Sequence, residues 1–467
     1  MNAEPLRWPK PESYVALAAA LGSFLTSLDA SAVNAVLPLI REAFHTSIAM
    51  MQWVLLAELL VTSGLLLAFG RLGDLWGHKP IYRSGFWIFL FGSALCAAAP
   101  GLLSLIVFRI IQGVGSAMLL ASSPALLVKH LPAERRGQAL GLRASLIYLG
   151  LATGPALGGW LMGQYGWRAV FCMQLPFGIA GLALTRWVIH GESLVAGSRH
   201  FDLSGAALWT CGLAAVLFGL NRGNAWGWTS LPVLLPLLLS APLLIVFLMT
   251  ERRNPNALVD LSLLGQSSFS LPVATLALSF VAGYLLTGLL PFYLMQGRRL
   301  GPAAAGLLLA GYGLIRVAAA PLSGRLSDWI GPRLPATFGA ALLALGAMIL
   351  SQLNPQSSLN GVMAGVLMAG AGIGMFVPPN NSMLMGAVPP SRQGIAAGIL
   401  ATARTVGMGI GIALAGVILS RALENDQHPG RTGFAVASAI ALSTALLSAV
   451  APDRAPVGAV IHGTAGS

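Results

Sequence analysis

Charged residues are scarce in this sequence. Only 9% of its 467 residues are Asp, Glu, Lys or Arg, whereas 56% are hydrophobic. A soluble domain uses about 25% charged residues to cover its surface, and hydrocarbon is the solvent that requires no such cover. The composition therefore argues against a soluble enzyme or binding module and predicts a chain that lies largely within a lipid bilayer.

Cysteine and lysine are also scarce, and their positions exclude further classes of protein. The three cysteines lie separately inside apolar runs, so they provide neither a disulfide framework nor metal-ligand spacing. None of the three lysines follows the glycine-rich run of a phosphate-binding loop, which argues against ATP hydrolysis. The net charge of +12 is spread over short connectors, so we predict no nucleic-acid partner. Since the sequence has neither metal-ligand spacing nor a phosphate-binding loop, we also predict no metal and no cofactor.

Long apolar runs are what the sequence has instead. A helix requires about 20 mainly apolar residues to cross a bilayer. Fourteen runs fit, at 14–39, 48–69, 81–99, 103–128, 138–161, 169–189, 203–220, 230–250, 268–294, 302–322, 335–352, 359–385, 394–420 and 432–450. We interpret them as an all-α membrane protein with a six-helix bundle over 14–190, an inserted helix pair over 203–250 and a second six-helix bundle over 268–450.

The basic residues predict the orientation in the membrane. If the N-terminus is cytoplasmic, sixteen of the 27 Lys and Arg residues fall in cytoplasmic segments, seven outside and four within spans. Cytoplasmic loops carry an excess of basic residues. We therefore expect a multi-pass protein of the cell (inner) membrane with both termini in the cytoplasm.

Two cytoplasmic connectors repeat each other, which indicates an internal duplication. The first reads GRLGDLWGHK and the second GRLSDWIGPR, with matching residues Gly70/Gly324, Arg71/Arg325, Asp74/Asp328, Gly77/Gly331 and Lys79/Arg333. Glycines permit a tight turn between two helices, and the aspartate can hold two helices together through a helix N-terminus or a neighbouring base. Because such a contact can break and re-form, we predict a gate between duplicated halves. The alternative is a solvated turn.

The sequence resembles the major facilitator superfamily, specifically its fourteen-span drug/proton antiporters. The resemblance rests on residues 28–38, 70–79, 109–115 and 150–159. It implies two six-helix bundles with two inserted helices and no enzymatic activity. It also implies that a small-molecule substrate is exchanged for protons, in the lipid bilayer and by a monomer.

The fifth predicted span carries a stripe of glycines. Gly150, Gly154 and Gly158 are spaced by four, so they lie on one face of a helix. A stripe without side chains allows a neighbouring helix to approach closely, and Pro155 bends the helix there. The resemblance implies that this bend, with Gly159 beside it, shapes a seal between the halves and favours exchange.

Two acids and one arginine are the candidates for proton coupling. Asp29 and Glu58 lie near the middle of the first and second spans, where an ionised aspartate costs about 2.5–3.5 kcal/mol. Burial favours the neutral form of a carboxyl, so both are candidate proton carriers, the alternative being structural hydrogen bonds. Asp29 resembles the first-span acid of the family, whereas Glu58 stands where the family has an aromatic residue. The resemblance implies a proton-transfer role for Arg109, the alternative being a packing salt bridge.

Other polar and aromatic residues within spans are candidates for the substrate cavity, with core packing as the alternative: Asn34, Trp53, Gln112, Tyr148, Tyr284, Asn380, Asn381 and Arg404. The sequence thus predicts a proton-coupled exporter of hydrophobic or amphipathic drugs. Dedicated export of one metabolite or self-made antibiotic is an alternative, and a non-transporting membrane sensor is an alternative of another class.

Overall fold

A computed structural model describes residues 10–131, 133–189, 203–227, 229–253, 261–354, 356–388, 393–424 and 429–452. In this part of the chain every regular element is helical. The helices are α1 (Lys10–Ala43), α2 (Ile48–Met51), α3 (Trp53–Trp76), α4 (His78–Ala97), α5 (Leu102–His130), α6 (Ala133–Tyr165), α7 (Arg168–Cys172), α8 (Gln174–Val188), α9 (Leu203–Trp226), α10 (Leu231–Arg253), α11 (Leu261–Leu264), α12 (Ser267–Phe292) with a π-helical turn (Tyr293–Gly297), α13 (Pro302–Ile330), α14 (Arg333–Gln352), α15 (Leu359–Gly386), α16 (Gln393–Glu424) and α17 (Pro429–Val450). The all-α prediction is therefore confirmed.

Helices coincide with each of the fourteen predicted runs, but fewer of them meet the criteria for a span. Among the described residues, twelve helical stretches are long and apolar enough to cross a membrane. The two runs outside this set are α4, whose first turns carry Lys79 and Arg83, and α9, whose apolar part is only Ala207–Gly219. Fourteen crossings thus remain a prediction, whereas a multi-pass helical protein is established.

The two repeated connectors form shorter turns than the sequence predicts. The helix α3 continues to Trp76 and α13 continues to Ile330, so the first seven residues of each repeat are helical. The chain breaks at Gly77 and Gly331, whose φ angles are 94° and 83°. Glycine reaches this left-handed region without the steric cost that a β-carbon would add. Only the last glycine of each repeat is therefore required by the turn.

The chain divides into two compact units. One contains the residues up to Thr46 together with Trp53–Thr210 and Pro302–Ala310, and the other contains Ser47–Gln52, Cys211–Gly301 and the residues from Gly311 onwards. The predicted domain limits of 14–190, 203–250 and 268–450 are not tested by this division.

Glycine contacts show the same helix pairing in both units. In the first unit a β-carbon on Gly115 of α5 would lie 2.8 Å from the carbonyl oxygen of Gly85 of α4. In the second unit one on Gly372 of α15 would lie 2.7 Å from the carbonyl oxygen of Gly339 of α14. In both pairs glycine lets two helix backbones touch, which is how membrane helices associate without a hydrophobic driving force. Because α4 and α14 each follow one copy of the repeated connector, the duplication extends from sequence into packing.

Candidate functional site

Arg109 of α5 is the centre of a buried polar network in the first unit. Its side chain is fully buried. Nη1 donates to both carboxylate oxygens of Asp29, at 2.9 and 2.8 Å, and Nη2 donates to Oε2 of Glu58. Nε donates to the carbonyl oxygen of Val54 at 2.8 Å. One guanidinium therefore joins α1, α3 and α5, and it bridges the two acids that the sequence singles out.

Two glutamines complete the surroundings of Asp29. Gln174 of α8 donates from Nε2 to Oδ1 of Asp29 at 2.5 Å, and Gln112 of α5 lies 3.4 Å from the same oxygen. The two amides are joined as well, because Nε2 of Gln112 donates to Oε1 of Gln174 at 2.8 Å. Oε1 of Gln112 accepts from Nη1 of Arg109 at 2.7 Å. Asp29 is thus held by nitrogen donors from two further side chains besides Arg109.

Serine hydroxyls border the network on two sides. Oγ of Ser116 donates to Oε1 of Glu58 at 2.8 Å. Oγ of Ser93 on α4 lies 2.8 Å from Oε1 of Gln174 and 2.9 Å from the carbonyl oxygen of Phe171, and it donates to one of them at a time. Both serines are buried. Every polar group of the network therefore has a partner, as buried polar groups require.

Two glycines of the first unit bring the helices close enough for these contacts. A β-carbon on Gly113 of α5 would lie 2.9 Å from the carbonyl oxygen of Glu58 on α3. A β-carbon on Gly92 of α4 would lie 2.7 Å from the backbone nitrogen of Gln112 on α5. The first contact places Glu58 within side-chain reach of Arg109, and the second brings α4, which carries Ser93, against α5.

The charges of the network do not balance when both acids are ionised. Asp29 and Arg109 are fully buried and Glu58 is 7% exposed, so bulk water screens these charges weakly. Two carboxylates share one guanidinium, which leaves one unit of negative charge. A proton on one carboxyl makes the cluster neutral. The neutral form is favoured because removing charge from water costs free energy even for a paired ion. This arrangement can bind and release a proton at a membrane-embedded site.

The glycine stripe of α6 lies against α1, close to Asp29 in sequence. A β-carbon on Gly150 would be 3.0 Å from the backbone nitrogen of Leu28, and one on Gly158 would be 3.1 Å from Cβ of Ala32. Oγ of Ser31 lies 3.1 Å from the carbonyl oxygen of Gly150. The stripe therefore packs the helix that carries Asp29 directly against α6.

The residues Pro155 and Gly159, which follow on α6, meet a different segment of the same unit. The β-carbon positions of Gly159 and of Gly306 on α13 each fall against the other segment's backbone, at Pro302 and Pro155 respectively. The resemblance assigns a sealing role to this part of α6. The seal between the halves stays a prediction.

The charged residues of the repeated connectors are placed less specifically. Arg325 and Asp328 of the second copy are exposed. Within the described part of the chain, a β-carbon on Gly70 or on Gly324 would meet no atom within 4 Å apart from its chain neighbours and the nearby backbone of its own helix. The side chain of Asp74 lies outside the described residues, so the gate stays a prediction.

The predicted cavity residues are divided between the two units. Asn34, Trp53 and Tyr148 are half-buried in the first unit, where Gln112 belongs to the Arg109 network. In the second unit Arg404 lies over the ring of Phe280 at 5.3 Å, and Phe280 stacks on Tyr284 at 6.3 Å between ring centroids. Asn380 is fully buried and is held by Thr275 and by the carbonyl oxygen of Pro272, at 3.0 and 2.9 Å, and its neighbour Asn381 is half-buried.

Three polar residues of the network escaped the sequence analysis. Ser116 is four residues after Gln112 and seven after Arg109, so helical spacing already puts the three on one face of α5. Gln174 and Ser93 are isolated polar residues in apolar helices, and only that isolation marks them. No spacing rule connects them to Asp29, because they come from other helices.

The fold and this site together define a polytopic helical membrane protein with a buried network of two acids and an arginine. The chain belongs to the Major Facilitator Superfamily, whose sequence profile matches residues 19–412 and again residues 273–465. It is therefore a transporter of small molecules and not an enzyme.

Known relatives agree with this assignment. The chain is 33% identical to the multidrug resistance protein Stp of Mycobacterium tuberculosis over 414 residues, which is 88% of this chain and 77% of Stp. It is 31% identical to the riboflavin transporter RibZ of Clostridioides difficile, over 87% of this chain and 88% of RibZ. The inward-open structure of the xylose transporter XylE from E. coli has the same fold, with a TM-score of 0.67 at 14% identity, covering 95% of this chain and 97% of XylE.

Proposed function

We propose that this protein exports hydrophobic or amphipathic compounds by secondary active antiport with protons. The buried cluster of Asp29, Glu58 and Arg109 carries the proposal, because its charge becomes neutral on binding one proton. An ATP-independent exporter requires such a group at membrane depth, where it can meet each side of the membrane in turn. The similarity to Stp, a multidrug resistance protein, supports the substrate class.

The energy of proton entry is sufficient for this task. One charge moving through 100 mV supplies about 2.3 kcal/mol, and each pH unit adds about 1.4 kcal/mol. At one proton per neutral substrate, 100 mV alone supports an outward gradient of about fiftyfold. The proposal has the protein in the cell membrane with both termini in the cytoplasm. Protons then move into the cell as substrate moves out.

Competition between proton and substrate would couple the two flows. A cationic compound replaces the proton as the charge that balances the cluster, and a neutral one displaces it by closing the cavity around the acids. The glycine contacts of α6 with α1 and α13 supply close packing that can open and re-form. Alternating access by rigid movement of two bundles is the usual plan of such duplicated transporters.

Reconstituted vesicles test the proposal. Purified protein is placed in liposomes with a trapped pH-sensitive dye, and ethidium, a neutral dye or an anionic dye is added under an imposed potential. We expect substrate-dependent proton movement with at least one amphipathic dye, and none in empty liposomes. Absence of proton movement for the whole panel, in folded and correctly inserted protein, would refute antiport and favour a sensor.

Dedicated export of one compound is the second candidate function. The similarity to RibZ, named as a riboflavin transporter, favours it because that relative is named for a single substrate. Growth of an efflux-deficient host that expresses the protein separates the two functions. Resistance to several unrelated drugs supports the broad exporter, whereas protection against one compound alone supports the dedicated one.

A further inference from the structure

We propose that the two acids have different parts: Glu58, with Ser116 as its reversible hydrogen-bond partner, carries the coupled proton, whereas Asp29 stays ionised as the fixed partner of Arg109. This inference rests on the proposed proton coupling and adds which carboxyl oxygen binds the proton. Neither Ser116 nor this division follows from the resemblance, because Glu58 departs from the family pattern.

The surroundings of Asp29 leave little opportunity for a proton. Its two oxygens accept from Nη1 of Arg109, and Oδ1 also accepts from Nε2 of Gln174 at 2.5 Å. A third nitrogen, Nε2 of Gln112, lies 3.4 Å from Oδ1. Guanidinium and amide N–H groups can only donate, so none of these three donors could accept a hydrogen bond from a proton on Asp29. Gln174 is therefore a positioning residue that keeps Asp29 in its charged form.

The surroundings of Glu58 are different at one oxygen. Oε2 accepts from Nη2 of Arg109, but Oε1 faces Oγ of Ser116 at 2.8 Å. A hydroxyl can donate or accept, so this contact survives protonation. When the proton forms an O–H bond at Oε1, that bond donates to Oγ, and the hydroxyl hydrogen of Ser116 turns away. When the proton leaves, the hydroxyl turns back and donates again.

Access also favours Glu58. Its residue is 7% exposed, whereas Asp29 is fully buried behind its donors. The charged and titratable groups that act on Glu58 from the neighbouring helices are Asp29 of α1, Cys96 of α4 and Arg109 of α5. Cys96 contacts Oε1 of Gln112 at 3.7 Å rather than either acid. Of the two acids, Glu58 alone has any exposed surface.

Infrared spectroscopy of the purified protein in lipid nanodiscs tests this division without requiring a substrate. A protonated carboxyl gives a C=O stretching band, and that band moves when the hydrogen bond of the acid changes. We expect the wild-type protein to show such a band at neutral pH, and Glu58→Gln to remove it. Absence of the band in the wild type would overturn the inference at once, because the cluster would not hold a proton.

Two uncharged substitutions then decide which acid holds the proton. Ser116→Ala is expected to shift the frequency of the band, and Gln174→Met, which removes an amide donor from Asp29 at similar length, is expected to leave it in place. The opposite pattern would place the proton on Asp29 and refute the proposal. Ser122→Ala is the matched control, because this serine lies buried on the same helix and its hydroxyl makes no hydrogen bond within the described residues.

Vesicle measurements separate this inference from the proposed function. If wild-type vesicles show dye-driven proton movement and the band follows Gln174 rather than Ser116, antiport stands and only the division between the acids is wrong. If the band follows Ser116 but no dye moves protons, the assignment of the proton stands and antiport fails. Should Glu58→Gln not fold, the Ser116→Ala and Gln174→Met spectra still decide the assignment.

Discussion

Neutralising Asp29 is the sharpest test of the buried network. In Asp29→Asn the side chain keeps its shape, but one carboxylate oxygen becomes an amide NH₂ group. That group must face either Arg109 or Gln174, both of which offer donors to this position. A donor then meets a donor in a site without exposed surface, and one charge-assisted contact is lost.

The size of the effect follows from the contacts that remain. Breaking a buried ion pair by removing one partner costs about 3–5 kcal/mol. Arg109 keeps Glu58, the carbonyl oxygen of Val54 and Gln112, so the cation is not left alone and the lower end of that range applies. About 3 kcal/mol corresponds to a loss of more than a hundredfold in the population of the arrangement in which Arg109 holds both acids.

We therefore expect Asp29→Asn to abolish drug resistance and substrate-dependent proton movement while the protein stays in the membrane. Resistance of an efflux-deficient host, proton movement in vesicles and the amount of membrane-inserted protein are measured together. Glu42→Gln is the control, since it removes the same charge from an exposed position near the end of α1. Resistance at the wild-type level in Asp29→Asn would remove Asp29 from the mechanism.

Three further predictions follow from single contacts. Gly154→Val should abolish transport and reduce the protein level, because its β-carbon would lie 2.7 Å from the carbonyl oxygen of Leu28, and overpacking of this kind costs about 1–3 kcal/mol. Gly163→Ala on the same helix is the control, since among the described residues no neighbouring helix lies within 4 Å of its β-carbon, and it should change neither transport nor protein level. Gly77→Ala should lower the melting temperature, since placing a residue with a β-carbon at a positive φ costs about 1–2 kcal/mol of stability. Gly70→Ala, within helix α3, should raise the melting temperature or leave it unchanged. Equal shifts in the two variants would contradict the turn at Gly77. Tyr82→Phe should destabilise the first unit by about 1–3 kcal/mol, because the hydroxyl accepts from the backbone nitrogen of Gly22 at 2.8 Å and donates to the carbonyl oxygen of Ala18 or Ala19. The midpoint of any pH-dependent dye transport should not change. A changed midpoint would show that this core contact affects the proton site.

The sequence was sufficient for the class and for part of the site. Scarce charge and long apolar runs require helices, because backbone groups in a bilayer must bond within their own segment. An ionisable side chain in an apolar run costs enough free energy to indicate a partner, so the sequence itself marks Asp29, Glu58 and Arg109. The glycine spacing of four on α6 likewise predicts a close helix contact.

Where a helix ends was harder to predict. An apolar pattern says how many residues can cross, but a helix continues past the membrane until a residue breaks it. The sequence predicts turns from Gly70 and from Gly324, yet the helix continues for seven residues and ends only where φ becomes positive, at Gly77 and Gly331. The two repeats contain five glycines, and only Gly77 and Gly331 have a conformation that requires glycine.

The sequence alone therefore determined the family, the set of helices and the three ionisable residues within apolar spans, since each of these depends on local composition or spacing. Tertiary structure decided which groups surround those charges. Gln174 on α8 reaches Asp29 across 145 positions of sequence, and Ser116 on α5 reaches Glu58 across 58. No periodicity within one helix specifies a hydrogen bond to another helix, so the different surroundings of the two acids became visible only once five helices were packed together.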